Sequence, residues 1–125
     1  MIHGIGTDIA AVARLRALWE RHGERAVEKI LAPAERGDFD AAPDKGRFLA
    51  KRFAAKEAFA KALGTGVRAP ATLPAIAVIH DPAGKPAFAY GDELATLVAG
   101  QGLVAHLSIS DEADYAVAYV ILERP

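Results

Sequence analysis

Two carboxylates in unusual surroundings are the first indication of chemistry in this sequence. Asp8 lies near the end of the otherwise apolar segment GIGTDIA. Aspartate is disfavoured in strands and costly to bury without a partner. Glu57 lies in AAKEAFAKALGTG, with Lys61 one helical turn later. Two carboxylates from different segments can hold Mg²⁺, which prefers oxygen ligands and shares its remaining positions between water and substrate phosphates. The pair therefore predicts a metal site that works on a phosphorylated ligand.

A run of basic residues around Glu57 supports this interpretation. Between Asp44 and Arg68 there are seven bases against two acids, in a chain of net charge −1. The bases are Lys45, Arg47, Lys51, Arg52, Lys56, Lys61 and Arg68. Lysine and arginine neutralise phosphate oxygens, and glycines such as those of Gly64-Thr65-Gly66 let backbone N–H groups approach them. A solvent-exposed Glu57–Lys61 ion pair is the simpler alternative, but the unpartnered Asp8 and the excess of base together favour a metal–pyrophosphate site.

The segment AHLSISDE carries a third candidate feature. In a strand, His106, Ser108 and Ser110 share one face. His106 could act as a general base near neutral pH, and Asp111 could orient that base or take its role. The alternative is a polar outer face on a half-buried strand.

Composition excludes several classes of protein. With 125 residues, 52% apolar and 25% charged, the chain is expected to fold as one domain, residues 1–125. It has no cysteine, which excludes thiolate metal sites and fits a reducing compartment. We see neither a secretory signal nor an apolar run long enough to cross a membrane, and so we expect a cytoplasmic protein without a membrane partner.

Two other binding classes are disfavoured by the patterns. The GIG of the opening segment lacks the third glycine of the dinucleotide-binding motif, and no strand–helix–strand crossover follows. The bases after Asp44 alternate with an apolar face that contains Phe48, Phe53, Phe59 and Leu63. Such interleaving argues against a nucleic-acid-binding helix.

The elements that must position these residues follow from hydrophobic periodicity. Residues 2–9 are predicted as a strand with Gly4, Gly6 and Asp8 on one face. Helices are predicted after it, the longest from about Arg47 to Leu63. A hairpin (AIAVIH and AFAY), a helix and a second hairpin (LVAHLSIS and YAVAYVIL) complete the chain. This order predicts an α+β fold with helices packed on a largely antiparallel sheet.

These motifs closely resemble those of one family. The segment GIGTDIAAVARL is similar to the opening of the holo-acyl-carrier-protein synthases, the small bacterial 4′-phosphopantetheinyl transferases. FLAKRFAAKEAFAKALGTG resembles their second and more specific signature, and GKP and HLSISDE match two later blocks in the same order. The resemblance covers essentially the whole chain. It implies an enzyme that moves phosphopantetheine from coenzyme A to a serine of apo-acyl carrier protein and releases adenosine 3′,5′-bisphosphate.

The resemblance also implies roles for particular residues. Asp8 and Glu57 match the family's Mg²⁺ ligands, which gather the coenzyme A pyrophosphate. The implied coenzyme A site comprises Lys61, Gly64, Thr65 and Gly66, with Arg52 beside them, Lys45 and Arg47 at the 3′-phosphate, and Lys85 and Pro86 at the nucleotide.

Partners and assembly are implied in the same way. Arg14 matches the family position that meets the acidic carrier protein, and Arg21 and Arg25 could extend that surface. The small members of the family are trimers with active sites between subunits, so a homotrimer is expected here.

Two departures from the family pattern leave alternatives open. Many relatives have Gly where Lys51 stands, and many have a second His where Asp111 stands. The general base therefore remains open between His106, Asp111 and a metal-positioned water, with Lys61 as a further catalytic candidate. A non-catalytic coenzyme A-binding module is the competing function, and the carrier could belong to fatty-acid or polyketide synthesis.

Overall fold

The computed structural model describes all 125 residues and has five strands and five α-helices. In chain order these are β1 (Ile2–Ala11), α1 (Val12–His22), α2 (Glu24–Ile30), α3 (Arg36–Ala41), α4 (Lys45–Leu63), β2 (Ile76–His80), β3 (Pro86–Tyr90), α5 (Asp92–Gly100), β4 (Val104–Asp111) and β5 (Tyr115–Glu123). Two 3₁₀ turns, Pro33–Glu35 and Leu73–Ala75, precede α3 and β2. The predicted α+β class is confirmed.

The long helix α4 is the centre of the molecule, and its ends follow from local chemistry. Asp44 is the N-cap, and its carboxylate accepts a hydrogen bond from the Arg47 backbone N–H at 3.0 Å. That bond, together with the neighbouring Arg16 guanidinium, lowers the Asp44 pKa. Gly64 ends the helix in the left-handed conformation, with a φ of 91°. The cap places the start of α4 at Lys45, two residues before the predicted start.

The main sheet packs one face on α4 and leaves the other face uncovered. Its strand order is β1-β5-β4, all antiparallel, while β2 and β3 form a separate antiparallel hairpin. Along β5 the burial alternates strictly from Ala116 to Val120, with Val117 and Tyr119 on the exposed side. The buried side chains belong to one core cluster that α4 shares with both sheets.

Strand β1 approaches α4 unusually closely because two of its inward positions are glycines. A Cβ added at Gly4 would lie 2.0 Å from the Ala62 carbonyl oxygen, and one at Gly6 would lie 2.0 Å from that of Ala58. Any side chain at either position would push the strand away from the helix. These glycines therefore determine how near Asp8, on the same face of the strand, comes to α4.

None of the helices combines the length and the apolar character required to span a bilayer.

Candidate active site

Asp8, Glu57 and Lys61 come together where β1 crosses the second half of α4. The Lys61 ammonium donates hydrogen bonds to Asp8 Oδ1 at 3.2 Å and to the Thr7 carbonyl at 2.9 Å. The Asp8 side chain is only 17% exposed, whereas that of Lys61 is 53% exposed. The cluster thus has a sheltered carboxylate at its base and an accessible cation above it.

The electrostatics of this cluster are incomplete within the chain. Asp8 Oδ2 is buried and has no hydrogen-bond partner. The Glu57 pKa is raised, first by partial burial and then by the negative charge of Asp8, while Lys61 and Arg14 act in the opposite direction. Two carboxylates that share a sheltered site repel one another unless a cation lies between them.

The side chains fit a divalent cation of the magnesium type. Nowhere in the chain do three or more His, Cys, Asp or Glu side chains meet at a potential metal site. Asp8 and Glu57 would therefore supply only two oxygen ligands. Mg²⁺ is commonly held in this way, with one or two carboxylates and the remaining positions filled by water and substrate phosphate.

The Gly64-Thr65-Gly66 loop, which is expected at the coenzyme A site, ends α4. The Gly64 N–H donates to the Ala60 and Lys61 carbonyls, and the Gly66 N–H donates to that of Ala60 at 3.3 Å. These two donors close the C-terminus of α4 and fix the last turn of the helix, from which Lys61 projects. The place of the loop in a coenzyme A site stays a prediction.

Arg47, Lys51 and Asp111 form a second charged group, near the start of α4. Arg47 Nη1 donates to Asp111 Oδ2 at 3.0 Å and to the Glu112 carbonyl, and Lys51 Nζ lies 3.8 Å from Asp111 Oδ1. The two positions that depart from the family pattern, Lys51 and Asp111, thus face each other. The group borders a cavity of about 290 Å³ that His80 and Ile109 also line.

Two residues predicted as coenzyme A contacts are committed to internal bonds. Lys45 Nζ donates to the carbonyls of Phe39, Asp40 and Ala42, which caps α3. Arg52 does not lie beside Lys61: its side chain is 7% exposed, and Nη1 donates to Glu35 and to the Val78 carbonyl. These bonds give both side chains a structural role, and Arg52 also lines the cavity beside Arg47. Their assignment to the coenzyme A site stays a prediction.

His106 lies on the uncovered face of the sheet, opposite to Asp8. Its register partner Ile121 and the Asp8 partner Ala118 point to opposite sides of β5. His106 Nε2 is 2.7 Å from Glu123 Oε1 and half exposed. Within one chain, therefore, the fold does not bring His106 to the Asp8–Glu57 pair.

Lys85 and Pro86 lie at the turn between β2 and β3. Gly84 has a φ of 90°, and the Lys85 N–H donates to Asp81 Oδ1 at 2.8 Å. The Lys85 side chain is exposed.

The three predicted partner-binding arginines lie on the first two helices. Arg14 is exposed and lies over the Phe53 ring, 5.0 Å from its centroid. Arg21 and Arg25 are exposed at the junction of α1 and α2. Beside them is a cavity of about 370 Å³, which we call the α1–α2 groove. Its lining residues are Leu18, His22, Arg25, Ala26, Lys29, Ile30, Phe53 and Leu73.

A buried cluster of Glu35, Lys56 and Arg52 escaped prediction. Glu35 is 1% exposed and accepts hydrogen bonds from Lys56, Arg52 and the Ala32 and Val78 N–H groups. Burial lowers the Lys56 pKa to about 8, although Glu35 opposes the shift. Lys56 shares a helical face with Phe59, which could have indicated burial. Nothing in the spacing around Glu35 indicates its role.

Known proteins share the sequence and fold of this chain over nearly its whole length. The holo-[acyl-carrier-protein] synthase of Dechloromonas aromatica is 70% identical over 124 residues, covering 99% of each chain. The crystal structure of the Neisseria meningitidis holo-[acyl-carrier-protein] synthase matches with a TM-score of 0.94 and 45% identity, over 98% of this chain and 99% of that one. A Bacillus anthracis holo-(acyl-carrier-protein) synthase in complex with CoA (3′,5′-ADP) matches with a TM-score of 0.83 and 35% identity, over 100% of this chain and 99% of that one.

The family assignment rests on nearly the whole length of the chain. The family model for the 4′-phosphopantetheinyl transferase superfamily matches residues 4–120, from the start of β1 into β5. The match therefore includes both carboxylates and Lys61. The chain belongs to the 4′-phosphopantetheinyl transferase superfamily.

Proposed function

We propose that this protein is a magnesium-dependent enzyme that transfers 4′-phosphopantetheine from coenzyme A to a serine hydroxyl of apo-acyl carrier protein. The products are holo-acyl carrier protein and adenosine 3′,5′-bisphosphate. The full-length similarity to holo-[acyl-carrier-protein] synthases supports the reaction. The observation that carries the metal requirement is the unpartnered, buried Asp8 Oδ2 beside a Glu57 whose pKa is raised.

Asp8 and Glu57 would hold the metal, and Lys61 would hold the substrate. When bound, Mg²⁺ supplies positive charge to the pyrophosphate and to its leaving oxygen. The Lys61 ammonium donates to Asp8 Oδ1 and to the Thr7 carbonyl, and its side chain is 53% exposed. It can therefore reach a phosphate oxygen. Arg47 and Lys85 are the remaining cations that we propose for the nucleotide end.

The transfer exchanges one phosphorus–oxygen bond for another. The carrier serine oxygen bonds to the phosphorus that bears the pantetheine group, and the bond from that phosphorus to the bridging pyrophosphate oxygen breaks. The serine proton must pass to a base. We assign this role to His106, because Nδ1 can accept the proton while Nε2 contacts Glu123, whereas Arg47 holds Asp111 in an ion pair at 3.0 Å. Glu123 would orient the His106 ring through its 2.7 Å contact with Nε2.

This assignment requires more than one copy of the chain. His106 and Asp8 lie on opposite faces of the sheet, so the base would come from a neighbouring subunit. The uncovered face is strongly apolar, with Ile5 58% and Ile9 61% exposed on β1 and with Val117 and Tyr119 on β5. Apolar patches of this kind mark association surfaces. We therefore propose a homotrimer in which this face is buried and each active site lies between subunits.

Transfer can be tested directly by mass spectrometry. Apo-acyl carrier protein incubated with coenzyme A, Mg²⁺ and this protein should gain the mass of one phosphopantetheine, and chelation of the metal should abolish the gain. Carriers from fatty-acid and polyketide synthesis should be compared in the same assay. The absence of any gain with several carriers, including one from the same source, would contradict the proposal and favour a non-catalytic coenzyme A-binding module.

The shared site can be tested by complementation. Asp8→Asn and His106→Ala should each be nearly inactive alone. Co-expressed, they should recover part of the activity, because some interfaces combine an intact Asp8 with an intact His106. Recovery would fail if both residues acted within one chain. Light scattering on the unmodified protein would report the number of subunits independently.

A further inference from the structure

The buried Lys56 ammonium donates hydrogen bonds to two residues that line the α1–α2 groove. Lys56 Nζ donates to the Ile30 carbonyl at 2.6 Å, at the end of α2. It also donates to the Leu73 carbonyl at 3.0 Å, in the second 3₁₀ turn. Both residues line the groove. One ammonium group therefore connects two elements of the groove's wall, α2 and the second 3₁₀ turn.

We infer that Lys56 is a positioning residue that holds the α1–α2 groove at the width needed to dock apo-acyl carrier protein. The inference rests on the proposed function, which supplies the carrier as the occupant. Lys56 would touch neither the carrier nor coenzyme A, since its side chain is 0% exposed.

The end of α2 provides an acceptor for this bond. Carbonyls in the last turn of a helix lack helical N–H partners, and α2 has only seven residues. Ile30 lies at that end, so the bond from Lys56 satisfies a carbonyl that would otherwise need another donor. Glu35 accepts a hydrogen bond from the same ammonium, so each of the three Lys56 ammonium hydrogens has an acceptor. A groove held in this way is formed before its partner arrives, which lowers the cost of binding.

The charge around the groove suits an acidic partner with some apolar surface. Arg25 and Lys29 are exposed at its edge, and Leu18 and Phe53 supply apolar contacts within it. Arg14, over the Phe53 ring, continues the basic edge toward Glu57. A carrier protein docked here would therefore be close to the proposed metal site.

The test compares two variants that disturb the same buried cluster. The variant Lys56→Met with Glu35→Gln removes the Lys56 charge together with its anion and loses both carbonyl bonds. Arg52 loses the same anion in both variants and keeps its bond to the Val78 carbonyl, so its effect cancels in the comparison. Glu35→Gln alone disturbs the ion pair but retains the Lys56 bonds to Ile30 and Leu73. For the double variant we expect the KM for apo-acyl carrier protein to rise about tenfold, with the KM for coenzyme A changed less than about twofold. For Glu35→Gln we expect a carrier KM close to that of the unmodified protein.

Several outcomes would overturn the inference. They are equal changes in the two KM values, an equal carrier KM for the two variants, and failure of the double variant to fold while Glu35→Gln folds. The last outcome would give Lys56 a role in general stability alone. Circular dichroism melts would establish that each variant is folded at the assay temperature.

Binding without turnover separates this inference from the proposed function. Calorimetric titration of apo-acyl carrier protein into each variant, without coenzyme A, should show the same weakening for the double variant. If the unmodified protein binds the carrier but transfers nothing, the proposed function fails. If it transfers normally and the double variant binds the carrier equally well, only the inference about Lys56 fails.

Discussion

Lys56 and Glu57 are neighbours in α4, yet they belong to two charge clusters of opposite character. Lys56 is fully buried, and each of its hydrogens has an acceptor on Glu35, Ile30 or Leu73. Glu57 is partly exposed beside Asp8, whose Oδ2 has no partner. Both clusters contain a carboxylate and a lysine. Only the first is complete within the chain.

The difference separates a structural ion cluster from a functional one. A buried charge is tolerated when every donor and acceptor is paired, and such a cluster can lose a member only at a cost in stability. A sheltered carboxylate without a partner keeps part of its bonding capacity for a ligand. Stability and activity should therefore respond in opposite ways when the two clusters are altered.

The largest expected effect is the loss of activity in Asp8→Asn. The substitution keeps the shape of the side chain but removes the charge that would bind the metal, so we expect kcat to fall roughly a hundredfold or more. The free energy of unfolding should change by less than about 1 kcal/mol, because Lys61 is exposed and the loss of the Asp8 charge also relieves its repulsion with Glu57. Steady-state kinetics and urea denaturation of the same preparation would measure both. A loss of stability equal to that of the buried cluster would remove the distinction.

The opposite result is expected for Glu35→Ala. Lys56 and Arg52 would remain buried without their anion, which should lower the free energy of unfolding by about 3–5 kcal/mol. Denaturant titration would measure this change, and folded protein at low temperature should keep its kcat. Arg36→Ala is a suitable control, because its ion pair with Glu24 is at the surface. A comparable loss in that control would show that burial is not the cause.

Stabilisation by bound Mg²⁺ is a smaller effect that should distinguish the two clusters. Mg²⁺ at ten times its dissociation constant should stabilise the native protein by about 1.4 kcal/mol. Thermal melts with and without the metal should show this stabilisation in the unmodified protein and in Glu35→Gln. Asp8→Asn should show none. Stabilisation that persists in Asp8→Asn would place the cation elsewhere.

The smallest effect is expected at the start of α4, away from both clusters. Asp44→Ala removes the N-cap bond to the Arg47 N–H and should cost about 1 kcal/mol. Because the pKa of Asp44 is lowered, its contribution is present above the pKa of the unfolded chain and is lost as pH falls through the folded value. Urea titrations should therefore show a difference in the free energy of unfolding between the variant and the unmodified protein at neutral pH. The difference should shrink as the pH becomes acidic. A constant difference at all pH values would assign the effect to another group.

Periodicity and capping were enough to predict most of the fold, since they are local properties of the chain. The α+β class, the long helix ending at Gly64 and the two hairpins all appear as predicted. The glycines of GIG are important for the site, but they make space for the backbone of α4 and not for the Asp8 side chain itself. They allow the backbone of α4 to approach β1 at Ala58 and Ala62. This approach in turn brings Asp8 close to α4. The two glycines indicate a close approach, but the sequence near the strand does not identify the segment that approaches.

The sequence by itself determined which groups could do the chemistry: two carboxylates, a lysine one helical turn from one of them, and a basic surrounding. Only the tertiary structure decided which cations are free. It showed that Lys45 and Arg52 are committed to internal partners, that Glu35 completes a buried cluster, and that His106 faces away from Asp8. The physical reason is that the bonds made by a long charged side chain depend on elements far away in the sequence. A pattern of residue types identifies a charge, but the packing around it determines whether that charge is already neutralised.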